Sequence, residues 1–266
     1  MRFSVLASGS RGNATIVEAE GYRILIDCGI SHRELSRRLA LRGEDSLDIN
    51  SVFITHFHSD HIKGLPTFLE KVQVDLFASR RFPSLGFGNA HHYLTPLSEV
   101  EVGPFRILPL PLPHDNGGSL GFFITIGAFK FVFATDLGFA TDDLVSAIAQ
   151  ADAVVLESNH DLQLLSSCAY PHFIKERIRS AEGHLSNCQT ADLLATSLNP
   201  LCQHVVLAHL SERANNPRMA LTAARGATSR PVVAASQSEP TEWFVLKSEQ
   251  PVLATSVVAP SLSAVA

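Results

Sequence analysis

The chain has 266 residues, with 21 Lys and Arg against 26 Asp and Glu and a formal net charge of −5. That balance gives no global attraction to nucleic acid or an anionic membrane, so a polyanionic substrate must be held by a local basic patch. Cys28, Cys168, Cys188 and Cys202 are scattered without a CxxC pair, which excludes a secreted disulfide framework or zinc ribbon and points to reduced thiols in a cytoplasmic protein. No window approaches a transmembrane span, and the apolar part of the opening MRFSVLASGS is too short for a signal peptide.

In chain order, short β-type runs fill the first half: 3–7, 14–19, 22–28, 51–56, 74–79, 105–113, 120–126 and 129–136. Gly, Asn or Pro separates most of them, the punctuation of strands and turns. Helical patterns fall at 31–42, 61–71 and 141–150. After the run 154–158 the character changes: 160–166, 171–181, 186–198 and a stretch near 215–226 are helical, with a strand at 204–209. No internal repeat is legible. The layout predicts an α/β protein, two sheets sandwiched between helices as an αβ/βα four-layer sandwich. One domain over 1–248 is expected, followed by a loosely attached tail, 249–266, short on charge and without a period.

The chemistry concentrates at THFHSDH. A β-run leads directly into His56, His58, Asp60 and His61, and an amphipathic helix follows. In an extended segment residues two apart project to the same side, so His56 and His58 converge on one ion. The turn into the helix lets Asp60 and His61 face a second. Imidazole and carboxylate suit zinc first, with manganese or iron as alternatives. With 12 His and 12 Asp in the chain, H-x-H-x-D-H arises by chance roughly once in a thousand such sequences.

THFHSDH resembles the second signature motif of the metallo-β-lactamase superfamily. Strand-end residues match the others in order: Asp27 in ILIDCG, His114 in LPLPLPHDN, Asp136 in FVFATDLG and His209 in VVLAHLS. The resemblance implies two divalent ions, one on His56, His58, His114 and Asp136, the other on Asp60, His61, Asp136 and His209. Asp27 then orients a ligand histidine; the alternative is a solvated turn residue.

ASGSRGNAT, LESNHD, AYPHFIKERIRSAEGHLSN and LAHLSERANNP together resemble the YycJ/WalJ-type branch, whose members are described as DNA exonucleases or related phosphoesterases. In the tRNA-processing endonucleases of this fold an acidic residue and then a helix-opening His follow the bridging Asp. Glu157 and His184 stand in that order before His209. The resemblance thus implies a phosphodiesterase or nuclease in which a metal-bridging hydroxide attacks phosphorus. Asp60, Glu157 and His184 are the catalytic candidates, with His184, oriented by the carboxylate, assisting the leaving group.

Several residues keep two readings. His184 is a general acid or a structural residue at a helix start. His160 and Asp161 join its network or cap the next helix. Ser10, Gly12 and Asn13 contact phosphate, or form a plain tight turn. Arg33, Arg37, Arg38 and Arg42 track a phosphate backbone, or form a solvated helix face. His32, His91, His92, His172 and His204 match no ligand slot. Competing functions are a thioester or lactone hydrolase of the glyoxalase II type, disfavoured because His61-Ile62-Lys63-Gly64 replaces the Gly-Gly of those relatives, and a non-catalytic binding module. Between Asp136 and His209 there is no room for the extra domain of larger nucleases of this fold.

Overall fold

The computed structural model describes residues 1–80, 91–115 and 119–248, so the expected tail at 249–266 lies outside the described residues. The strands are β1 (Arg2–Ala7), β2 (Ala14–Ala19), β3 (Tyr22–Ile26), β4 (Ser51–Phe53), β5 (Asp75–Ser79), β6 (His91–Leu94), β7 (Val100–Val102), β8 (Phe105–Leu112), β9 (Ser119–Ile126), β10 (Phe129–Ala134), β11 (Ala153–Glu157), β12 (His204–Ala208), β13 (Val232–Ala234) and β14 (Phe244–Val245). The helices are α1 (His32–Ala40), α2 (Ser59–Ile62), α3 (Leu65–Leu69), α4 (Asp142–Ile148), α5 (Leu162–Ser167), α6 (His172–Arg179), α7 (Asn187–Ser197) and α8 (Pro217–Ala227).

Two seven-stranded sheets result, in the orders β14-β1-β2-β3-β4-β5-β6 and β13-β12-β11-β10-β9-β8-β7. Each opens as antiparallel pairs and continues in parallel: β3 onward in the first, β10 onward in the second. The sheets face each other across an aromatic layer. Phe3 meets Phe131 at 4.6 Å between ring centroids, and Phe53 stacks on Phe77 at 4.4 Å while presenting its edge to Phe122 at 5.6 Å. Leu35, Leu39 and Phe68 cover the outer face of the first sheet, and Leu144, Ile148, Leu194 and Ala220 cover that of the second. The four layers are helix, sheet, sheet, helix, as expected. No helix among the described residues is long and apolar enough to cross a membrane.

Two expected elements differ. The run 51–56 leaves the sheet after Phe53, because the Asp27 carboxylate takes the Thr55 N–H at 2.9 Å in place of a ladder partner. The helix expected at 61–71 is two short helices parted at Gly64. Its N–H donates to the Cys28 carbonyl at 2.8 Å, and a Cβ there would meet the Ile30 carbonyl at 1.8 Å. The very short β7, β13 and β14 were not anticipated.

Candidate metal centre

Parallel strands end on the same side of a sheet, and β8 runs parallel to β10 through their shared antiparallel neighbour β9. The residues following β3, β4, β8, β10 and β12, together with the last residue of β11, therefore gather at one edge of the sandwich, where ligands of open α/β sheets bind. Asp27 and Asp136 (φ 61°) and His209 (φ 53°) all adopt left-handed backbone just past a strand. Such a conformation is uncommon outside glycine, and clusters where structure is held for function.

His56 and His58 do converge, with Nε2 of the first 2.9 Å from Nδ1 of the second. The ligand atoms of His56, His58 and His114 lie within 4.8 Å of one another, as do those of Asp60, His61 and His209. Asp136 joins both halves, grouping with His56 and His61 on one side and with Glu157, His184 and His209 on the other. Every residue expected to hold metal is thus in one place. His61 is fully buried and Asp136 nearly so.

This loop is pinned by backbone contacts. The Asp60 carbonyl accepts the Asn13 N–H at 2.8 Å, and the His61 carbonyl accepts the Cys28 N–H at 2.8 Å. Gly29 is required there, since a Cβ would meet the Asp60 carbonyl at 1.6 Å.

Behind each imidazole stands an acceptor that sets its proton. Asp27 Oδ2 lies 2.7 Å from His61 Nδ1, and the Gly183 carbonyl 3.0 Å from His114 Nδ1. The Thr55 hydroxyl lies 3.0 Å from both Asp27 oxygens and 3.0 Å from His56 Nδ1. It has one proton, which the carboxylate claims, so it accepts from His56 Nδ1–H. When these rings are neutral, their Nε2 lone pairs face inward, the arrangement metal-binding histidines need. Asp27 is therefore buried against His61 and is not a solvated turn residue. Thr55 was missed, although it precedes the motif directly.

Glu157 stands behind His184, where a carboxylate orienting that imidazole was expected. It is fully buried, accepting His184 Nδ1 at 2.9 Å and His209 Nδ1 at 2.8 Å on Oε1, and Leu185 N–H at 2.9 Å on Oε2. It is a positioning residue, with no access to a substrate. His184 lines the cleft with His58, Asp60, Asp136 and His209. It does not open the helix, since Ser186 caps α7 in a capping box with Gln189.

Of Ser10, Gly12 and Asn13, only Ser10 is exposed and lines the cleft. Gly12 and Asn13 are the tight turn. Gly12 N–H donates to the Gly9 carbonyl at 3.1 Å, and the buried Asn13 side chain bonds Gly9 and sits 3.1 Å from His61 Nε2. His160 is buried and does not line the cleft, while Asp161 caps α5. Three of the four arginines in and just after α1 are occupied: Arg37 and Arg38 pair with Glu34, Arg38 also donates to the Leu6 and Gln237 carbonyls, and Arg42 pairs with Glu242.

Electrostatics mark the same place. Burial opposes a charge on His61, yet the Asp27 and Asp136 carboxylates overcome it and lift the imidazole to about 10. His209 is raised in the same way, chiefly by Asp136 against burial. Burial alone would raise Asp60 and Asp136, but the surrounding imidazoles hold both well below the usual carboxylate range. Three buried atoms, His114 Nε2, His209 Nε2 and Asp136 Oδ2, have no hydrogen-bond partner. A buried orphan of this kind calls for a specific cause, and here imidazole nitrogens and a carboxylate oxygen meet as a ligand set for a cation.

The chain matches the family described as Beta-lactamase superfamily domain over residues 22–210, and belongs to it. It is 31% identical over 218 residues to exodeoxyribonuclease YycJ of Bacillus anthracis, covering 79% of this chain and 83% of that protein. It is 29% identical over 228 residues to exodeoxyribonuclease WalJ of Streptococcus pneumoniae, covering 82% and 85% respectively. Among solved structures, the metallo-β-lactamase fold protein YhfI of Bacillus subtilis superposes with a TM-score of 0.69 at 16% identity, over 90% of this chain and 98% of its own. The expected fold and family both hold.

Proposed function

We propose that the protein is a metal-dependent phosphodiesterase acting on nucleic acid, a nuclease of the exodeoxyribonuclease type. The observation that carries this reading is the pairing of His184 with His209 on one oxygen of Glu157, at 2.9 and 2.8 Å. It sets a second oriented imidazole at the cleft beside the ligand cage. Hydrolysis of a phosphodiester expels a poor alkoxide, for which an oriented imidazole is suited as proton donor. Thioester and lactone hydrolysis need such a group less. Relatives named exodeoxyribonuclease across most of the chain support the same choice.

Two divalent ions, zinc by the character of the donors, fit the residues present: His56, His58 and His114 for one, Asp60, His61 and His209 for the other, with Asp136 between. Such ions supply Lewis acidity and activation of water. Asp60, at the cleft, also balances the charge of His61 and His209. His184 presents Nε2 to the leaving group while its Nδ1–H is donated to Glu157, so as proton donor the ring carries a second proton, on Nε2. Residues 1–248 act as one domain, and the free thiols of Cys28, Cys168, Cys188 and Cys202 suit a reducing cytoplasm.

The test is metal analysis of the purified protein, followed by turnover of single-stranded DNA, RNA, bis-p-nitrophenyl phosphate and a thioester. Phosphodiester turnover that chelation abolishes and zinc restores is expected. Thioester turnover without phosphodiester turnover would sink the reading.

A further inference from the structure

The cleft over the cage measures about 200 Å³, below the roughly 300–1,000 Å³ of pockets that enclose a whole small ligand. It has room for a phosphate and part of a sugar, so the rest of a nucleotide must lie on the rim. With the net charge at −5 and Arg37, Arg38 and Arg42 already paired, phosphate binding falls to cations at that rim.

Arg177 and Tyr170 both line the cleft from α6 and the turn before it, a helix none of whose residues is fully buried. The Arg177 guanidinium is held by both oxygens of Asp115 through Nε and Nη2. Asp115 is in turn shared with the cage, 3.1 Å from His58 Nε2 and 3.5 Å from His114 Nε2. The carboxylate therefore fixes Arg177 relative to the metal ligands without claiming all of its charge. A guanidinium has five N–H groups, and two suffice for Asp115, which leaves three for a second anion. The side chain is 52% exposed, so those groups are accessible. The Arg213 guanidinium lies 5.4 Å from the centre of the half-buried Tyr170 ring. A cation against one aromatic face leaves the ring as a shelf of the kind on which unpaired bases stack.

We propose that Arg177 and Tyr170 form a nucleotide subsite beside the cage. Arg177 grips the phosphate next to the one being cleaved, and Tyr170 stacks on an unpaired base. The substrate is then a single-stranded polynucleotide, because a base inside a duplex is already stacked and cannot reach the shelf. The subsite rests on the phosphodiesterase reading but deepens it.

Three probes score it: a single-stranded deoxyoligonucleotide, the same strand with abasic residues, and its duplex. The wild-type protein is expected to favour the intact single strand over the abasic one by about tenfold in KM, and over the duplex as well. Tyr170→Ala erases the preference for bases, whereas Tyr170→Phe keeps it. Arg177→Lys keeps the charge but loses the fork, and raises KM on both single strands by about fivefold or more, exceeding its effect on kcat. Equal wild-type KM for intact and abasic strands, or a preference that survives Tyr170→Ala, overturns the shelf; an unchanged KM in Arg177→Lys overturns the grip. Fluorescence anisotropy with the same strands reads binding without turnover. Discriminating binding with no cleavage would sink the phosphodiesterase reading and leave the subsite standing.

Discussion

Nδ1 of His184 lies 2.9 Å from Oε1 of Glu157, a carboxylate with no exposed surface. That oxygen also meets His209 Nδ1 at 2.8 Å and the Asp136 N–H at 3.2 Å. One buried carboxylate thus aligns His184, His209 and Asp136 from three separate segments.

His184 and Glu157 are therefore expected to fail differently when replaced. His184→Ala should lower kcat by about 10²–10⁴-fold, the usual worth of a general acid, with metal content retained. Glu157→Gln should lower metal affinity and turnover together by about 10–100-fold, because it disturbs a ligand histidine as well. Parallel measurement of kcat and bound zinc separates the two. Full turnover in His184→Ala with metal bound would remove that imidazole from the chemistry.

The Asp27–His61 pair sets a pH dependence for metal binding. Against the effect of burial, Asp27 and Asp136 lift His61 to about 10. At neutral pH a cation must therefore displace a proton from that ring. Since the proton is held below the raised pKa, competition weakens as pH rises, and apparent zinc affinity should climb by up to about tenfold per unit for each proton released. Asp27→Asn removes the largest cause of that lift. Its zinc affinity near pH 7 should fall by about 10–100-fold, while the climb with pH becomes shallower. Thr55→Val, which removes the hydroxyl between Asp27 and His56, should also weaken zinc. Competition titrations with a chromophoric chelator between pH 6 and 8 give both affinity and slope; an identical slope in Asp27→Asn would refute the pairing.

Much of this cage was legible because the fold places ligands where a sequence can mark them, at strand ends. Asp27, His114, Asp136 and His209 each terminate an apolar run, and their order alone matched a known pattern. Glu157 was found in the same way, and its place behind His184 was expected; its being sealed from substrate was not. Whether a carboxylate touches substrate depends on what covers it, and here His184, His209 and the Leu185 N–H do so. Asp115 and Arg177 stand 62 positions apart and meet only because α6 docks over the cleft. No periodicity records that docking. The split helix at Gly64 escaped for a related reason: apolar spacing across 61–71 is continuous, and the break comes from the Cys28 and Ile30 carbonyls on a distant segment.

His160 provides a stability test independent of metal. It is buried, with no partner for Nδ1, and burial depresses its pKa from 6.5 to about 4. The unfolded chain thus takes up a proton between those values that the folded protein refuses. Folding stability attributable to this residue is complete above pH 6.5 and is lost as pH falls toward 4, by on the order of 3 kcal/mol. His160→Gln cannot titrate, so its denaturation midpoints in chelator should show a smaller loss over that window than the wild type. Parallel curves for the two proteins would contradict a buried neutral imidazole.

Two glycines separate close backbone contact from mere flexibility. At Gly29 an added methyl would strike the Asp60 carbonyl at 1.6 Å and the Asn13 nitrogen at 2.7 Å, and both are backbone atoms that cannot rotate away. The motif loop must then lift from the 27–30 segment, so Gly29→Ala should cost about 3 kcal/mol or more and abolish tight zinc binding as Asp60 and His61 move. At Gly226, inside α8, the same methyl meets nothing within 4 Å. There the change relieves backbone entropy in a helix, and Gly226→Ala should stabilise by about 0.5–1 kcal/mol with zinc affinity unaltered. Urea denaturation and zinc titration of both variants decide the matter. A Gly29→Ala protein as stable and as metal-competent as the wild type would show that the loop is not braced against this segment.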